Sequence, residues 1–105
     1  MIKVERSSGN VFKDLGFDDA EAEALLAKSE LALAIKRLVA ARGLTQVEAA
    51  KLCRTDQPTL SKVLGGRLEG ITMDRLSAWL RALGARVEIS VKPGRAGRGR
   101  LVVNA

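Results

Sequence analysis

Residues 57–62, Gln-Pro-Thr-Leu-Ser-Lys, carry side chains able to hydrogen-bond the edges of base pairs. Gln57 donates and accepts at once, which suits an adenine edge, and Lys62 can reach a guanine or a phosphate. On a helix, Gln57 and Ser61 lie one turn apart, as do Pro58 and Lys62, so these four share a face. Thr59 stands in the same first turn, and Leu60, Val63 and Leu64 fall opposite, where they pin the helix to a core. Thr45 and Gln46 open a preceding helix, whose unpaired N–H groups favour anions, and Arg67 follows the reading helix. The candidate DNA-binding set is therefore Thr45, Gln46, Gln57, Pro58, Thr59, Ser61, Lys62 and Arg67. Taken singly, each is an ordinary solvated residue; the combined spacing is what points to the major groove.

The elements that must hold these residues are legible from caps and periodicity. Asp18 reads as a helix N-cap with Glu21 three residues on, the pattern of a capping box. Asp19 to Arg42 contains no Gly or Pro, and Leu31, Ile35, Leu38 and Val39 recur at helical spacing, giving one long helix or two in tandem. Arg42-Gly43 ends it with a cation and then a glycine. Thr45 with Glu48 starts the next helix, in which Val47, Ala50 and Cys53 are expected to face inward. Arg54-Thr55-Asp56 forms a turn, and Asp56 caps the reading helix, where Pro58 is tolerated in the first turn. Gly65-Gly66 stops that helix. Thr72 then caps a fourth, bearing Met73, Leu76, Leu80 and Leu83 and ended by Gly84. Trp79, the only tryptophan, falls beside those leucines as partly buried packing.

Four regions follow. Residues 1–17 form an N-terminal arm: Ile2 and Val4 alternate, Ser7-Ser8-Gly9-Asn10 makes a turn, and Val11, Phe12, Leu15 and Phe17 give it apolar weight. Residues 18–84 form the helical domain. In 85–92, Val87, Ile89 and Val91 alternate with Arg86, Glu88 and Ser90, the pattern of a half-buried strand. Residues 93–105 form a Gly/Arg-rich cationic tail in which Leu101-Val102-Val103 can return as a short strand. The expected class is mainly α, about five helices with a C-terminal β-strand.

Charge and composition narrow the function. Residues 1–30 hold four basic and seven acidic side chains, net −3, whereas residues 31–105 hold fourteen and five, net +9, and the two sum to the overall +6. Positive charge coincides with the reading unit and the tail, which favours a polyanionic partner, nucleic acid before membrane. With no histidine and one cysteine, zinc fingers, disulfide frameworks and His-based triads are excluded. Cys53 reads as a small core residue. No cofactor, metal or enzymatic constellation is expected. No apolar run approaches a membrane span and no signal-peptide pattern opens the chain, so a cytoplasmic protein is expected.

Residues 44–83 resemble the Xre family of helix-turn-helix proteins, to which Cro and lambda repressor belong. The resemblance rests on Thr45, Gln46, Glu48 and Ala50 in the T-Q-x-E-x-A opening, and on Q-P-T-L-S at 57–61. It implies a five-helix-type, lambda-repressor-like domain that binds palindromic operators as a homodimer. Two positions depart from the pattern. Arg54 stands where a glycine often sits in the turn, and Asp56 stands where a serine or threonine often caps the reading helix. A positive φ at Arg54 costs more than it would at glycine, and Asp56 repels a nearby phosphate. The flanks, S-S-G-N-V-F-K-D-L-G-F and V-E-I-S-V, resemble HigA-type antitoxins. That likeness implies autorepression of a toxin–antitoxin operon and direct neutralisation of an RNA-cleaving toxin.

An isolated strand needs a partner for its exposed N–H and C=O groups. Candidates are the tail at 101–103, Ile2 to Val4, or the same segment of a second copy. Pairing between copies through Arg86, Val87, Glu88, Ile89, Ser90 and Val91, with helix 72–83, would set two reading helices about 34 Å apart. The leading expectation is a dimeric repressor that is an antitoxin. A solitary or phage-derived regulator, and a protein-interaction module without DNA, remain as alternatives.

Overall fold

Each helix of this chain begins on a side-chain oxygen. The computed structural model describes residues 10–94, 97 and 99–105, and the helices among them are α1 (Val11–Asp14), α2 (Asp19–Ala41), α3 (Gln46–Leu52), α4 (Gln57–Leu64) and α5 (Met73–Ala82). Their caps are Asn10, Asp18, Thr45, Asp56 and Thr72, each accepting from a backbone N–H of the first turn. Such caps satisfy donors that no helix can satisfy internally. The sequence-based expectations for Ile2, Val4, the turn through Gly9, and Arg95, Ala96 and Arg98 lie outside the described residues.

The long alanine-rich segment is one helix, α2, and it organises the rest. Its second half supplies Ile35, which is fully buried with Leu60 of α4 and with Leu76 and Leu83 of and beyond α5. Trp79 is 2% exposed and belongs wholly to this core. The first half of α2 packs against α1. Asn10 fastens that junction: its Oδ1 accepts from Phe12 N at 3.0 Å while its Nδ2 donates to Ala22 O at 2.8 Å. Phe12 and Phe17 meet edge to face at 6.1 Å, and Lys13 Nζ sits 3.2 Å from Asp19 Oδ1. Arg42, the cap residue ending α2, donates from Nη1 to Leu83 O at 2.7 Å, placing a cation at the carbonyl end of α5. No helix among the described residues is long and apolar enough to cross a membrane.

Three expectations are corrected. The expected C-terminal β-strand is absent: no strand forms among the described residues. Residues Arg86, Val87, Glu88, Ile89, Ser90 and Val91 leave the core after Val87, with Ile89 89% and Val91 90% exposed. Alternation marks a two-faced segment, but a strand also needs a second backbone, and the described residues supply none there. The tail does not serve: Leu101 N donates to Glu23 Oε1 of α2 at 3.0 Å. Second, Val47 points outward at 55% exposure, and Ala49, Ala50 and Cys53 line the inner face of α3 instead. Third, Trp79 is fully rather than partly buried, and the loop after α4 adds Leu68 and Ile71 to the core around it.

Arg54 takes φ 55°, the only non-glycine residue with positive φ among those described. A side chain in this left-handed conformation costs about 1–2 kcal/mol relative to the right-handed one. Arg54→Gly is therefore expected to raise stability by about 0.5–1 kcal/mol, the relief being partly offset by glycine's greater freedom when unfolded. A urea midpoint unchanged or lowered in that variant would refute the strain.

Candidate nucleic-acid interface

The surface built by α3, the turn and α4 begins with two interlocked caps. Thr45 N donates to Glu48 Oε1 at 2.8 Å and Glu48 N donates to Thr45 Oγ1 at 3.1 Å, a closed capping box. The chain leaves α3 through Cys53 and Arg54, with Thr55 N donating to Ala50 O at 3.0 Å. Arg54 in the left-handed region is what lets the chain reverse quickly enough for Asp56 to cap α4, accepting from Thr59 N at 2.7 Å. Gln57 and Pro58 then occupy the first helical turn, where Pro58 forfeits no bond.

Opposite faces of α4 have opposite fates. Leu60 and Val63 are buried, whereas Gln57, Pro58 and Lys62 are exposed and Thr59 and Ser61 are half-buried. Gln57 and Gln46 are joined directly, Gln57 Nε2 donating to Gln46 Oε1 at 2.8 Å. The bond ties the first turns of α3 and α4 together, and it leaves hydrogen-bonding capacity: the second Nε2 hydrogen and Oε1 of Gln57 remain to meet an adenine edge. Sequence reading had treated these glutamines as separate contacts, because no local rule relates residues eleven apart. Thr45 and Gln46 are exposed at the start of α3. Arg67 is exposed just past Gly66, its N–H donating back to Lys62 O at 2.9 Å.

Arg75 was not singled out by the sequence. It lies on α5, and its Nη2 donates to Thr55 Oγ1 in the turn at 3.4 Å while its guanidinium sits 5.6 Å from the Trp79 ring centroid. An Arg four residues before a Trp on one helix is the only local hint of this placement.

The carboxylates of this surface are held charged. Hydrogen bonds from the Thr59 side chain and backbone pull Asp56 below its ordinary value, and Arg75 adds to the effect. The Thr45 backbone N–H, then its hydroxyl, does the same for Glu48. A carboxylate whose pKa is lowered by folding contributes stability above its unfolded pKa of about 4, and that contribution disappears as pH falls through the lowered value. Thermal melts should therefore lose stability as pH drops below about 4. Asp56→Asn with Glu48→Gln, which keeps both caps, should flatten that loss, and an equal acid slope in the double variant would exclude these groups as its source. Cys53 is different: burial pushes its thiol pKa up, and Sγ lies 3.8 Å from Trp79 O, a packed thiol rather than a nucleophile. Among the described residues no cluster of His, Cys, Asp and Glu could hold a metal.

The family model for a helix-turn-helix domain matches residues 11–92. The chain belongs to this helix-turn-helix family. A solved structure titled "Putative XRE Family Transcriptional Regulator" is similar to it with a TM-score of 0.72 and 33% sequence identity, over 81% of this chain and 98% of that one. No curated protein matches the chain. The matches place the chain with XRE-like helix-turn-helix proteins. The matched span also includes α1 and the exposed segment through residue 92.

Proposed function

We propose that this protein is a sequence-specific, double-stranded-DNA-binding transcriptional repressor. The observation that carries the reading is the linked pair Gln46–Gln57 at the exposed starts of α3 and α4, on a helix whose other face is buried. An exposed helix end with a preorganised amide is suited to the major groove, where adenine offers an acceptor and a donor side by side. Ser61 and Lys62 continue the reading face. Thr45, Pro58 and Thr59 shape its entrance, and Arg67 adds a phosphate contact. The titled XRE-family neighbour supports regulation of transcription as the role.

The protein acts on palindromic operators as a homodimer that pairs through Arg86 to Val91. It is the antitoxin of a type II toxin–antitoxin operon, represses its own promoter, and binds a cognate RNA-cleaving toxin. The antitoxin part rests on the HigA-like flanks at residues 7–17 and 87–91. It predicts that the product of the adjoining reading frame co-purifies with this chain and loses its RNA-cleaving activity in the complex. A neighbour that neither binds nor is inhibited leaves a solitary repressor.

Footprinting on the DNA upstream of its own gene tests the repressor reading, and two variants sharpen it. Gln57→Ala should cost about 1–3 kcal/mol at one operator base pair and relax the preference there. Arg67→Ala should weaken binding to every sequence alike and lower the salt slope by about one. Uniform loss in both variants would remove Gln57 as a base reader.

A further inference from the structure

The capping residue of the reading helix is an awkward choice for a surface that meets phosphate. Asp56 brings a full negative charge to the start of α4 at an exposed position, where the only helix groups bonded to it are neutral donors of Thr59. It is the residue next to Gln57, and like charges at short range repel. A serine or threonine cap would hold the same N–H without that charge.

We infer that Arg75 is the built-in counter-charge to Asp56, held beside the turn by Thr55 and Trp79 so that the reading helix can approach the DNA backbone. The inference rests on the DNA-binding reading above. Two side-chain contacts fix the guanidinium, on a backbone anchored by Arg75 N donating to Thr72 Oγ1 at 3.1 Å. Its Nη2 reaches Thr55 Oγ1, the residue immediately before Asp56, at 3.4 Å. Its plane rests 5.6 Å from the centroid of Trp79, a ring that is 2% exposed and so cannot swing away. A long cation is normally free to roam, and an exposed ion pair then gains little. Here the aromatic ring and the hydroxyl hold the charge in place at one site. Its influence also reaches the carboxylate, since Arg75 is among the groups that favour ionised Asp56. Arg75 is thus a positioning residue for the interface: it acts on DNA through Asp56.

A double-mutant cycle on a promoter duplex, at fixed salt, distinguishes this from a plain phosphate contact. Arg75→Gln is expected to weaken binding about two- to five-fold, the scale of one exposed charge–charge interaction at the turn. Asp56→Asn, which keeps the cap, should strengthen it by a similar factor. In the Asp56→Asn background, Arg75→Gln should cost nothing, and Arg75→Lys in the wild-type background should restore part of the loss. Equal losses in both backgrounds, or none in either, overturn the inference. A second readout needs no DNA: carboxyl-carbon titration of Asp56 by NMR should shift upward in Arg75→Gln and stay in place in Arg67→Ala. If it does not move in Arg75→Gln, the inference fails even where DNA binds. If the wild-type protein prefers no duplex while the Asp56 titration shifts as expected, the repressor reading fails and the pairing of Arg75 with Asp56 stands as a feature of the turn alone.

Discussion

Leu76→Ala should destabilise the domain by about 2–5 kcal/mol, the range for truncating a fully buried leucine. Leu76 is completely buried, and it lies on α5, the helix that packs chiefly on α2. With Ile35, Leu60 and Leu83 it forms the set of largest fully buried side chains, all in one core cluster. The loss is a large share of the total for a chain of this size, since small domains are stable by about 5–15 kcal/mol. Trp79 supplies the probe: one tryptophan, buried, three residues along the same helix. Its emission across a urea series measures the change directly. Val47→Ala is the matched control, because Val47 is more than half exposed and should change stability by less than about 0.5 kcal/mol. A loss under about 1 kcal/mol at Leu76 would show that the core is not organised around α5.

The contrast between Leu76 and Val47 marks where sequence is and is not decisive. The caps Asp18, Thr45, Asp56 and Thr72 all stand where their chemistry puts them, because capping is settled within four residues. The long helix is legible as helical, but its periodicity is marked only from Leu31 to Val39, which leaves one helix or two open until the structure shows one. Helix α3 is only seven residues, about two turns, and such a span cannot fix which side faces in; Val47 was therefore set inward when Ala49 is. Helix α1 is four residues and carries no periodicity at all, so only Asn10 could have announced it. Leu68 and Ile71 were passed over because loop residues are assumed exposed, yet they close the core between α4 and α5. In the candidate site the individual polar residues were found, and the bonds between them were not. Gln46 with Gln57, and Arg75 with Thr55, join residues eleven and twenty apart, and such pairings exist only once the helices have packed. Residues 85–92 failed for a related reason: hydropathy describes the segment and says nothing of its partner.

The double variant Ile89→Glu with Val91→Glu should abolish dimerisation and cost about 10²–10⁴-fold in operator affinity. The proposed interface included helix 72–83, but Leu76, Trp79, Leu80 and Leu83 are all consumed by the core of their own chain. What α5 leaves outward is polar or small, including Asp74, Arg75, Ala78 and Arg81. The apolar part of that proposed interface therefore falls to Ile89 and Val91, which are about 90% exposed and separated by one residue. Burying an aliphatic side chain gains about 1.5–3 kcal/mol, and a two-fold axis counts each twice. Four such side chains offer about 6–12 kcal/mol before the cost of association. Val87 is left alone because it packs against the core, so the variant separates association from folding. Sedimentation velocity should show a monomer whose Trp79 emission and melting temperature match those of the wild type. The affinity loss follows from linkage: a dimer presents its second reading helix at a high effective concentration once the first is bound, and a monomer does not. Binding to a single half-site should accordingly be little changed, which distinguishes lost pairing from a damaged α4. A variant that stays dimeric, or one that binds the full operator as well as the wild type, would place the dimer contact elsewhere on the domain.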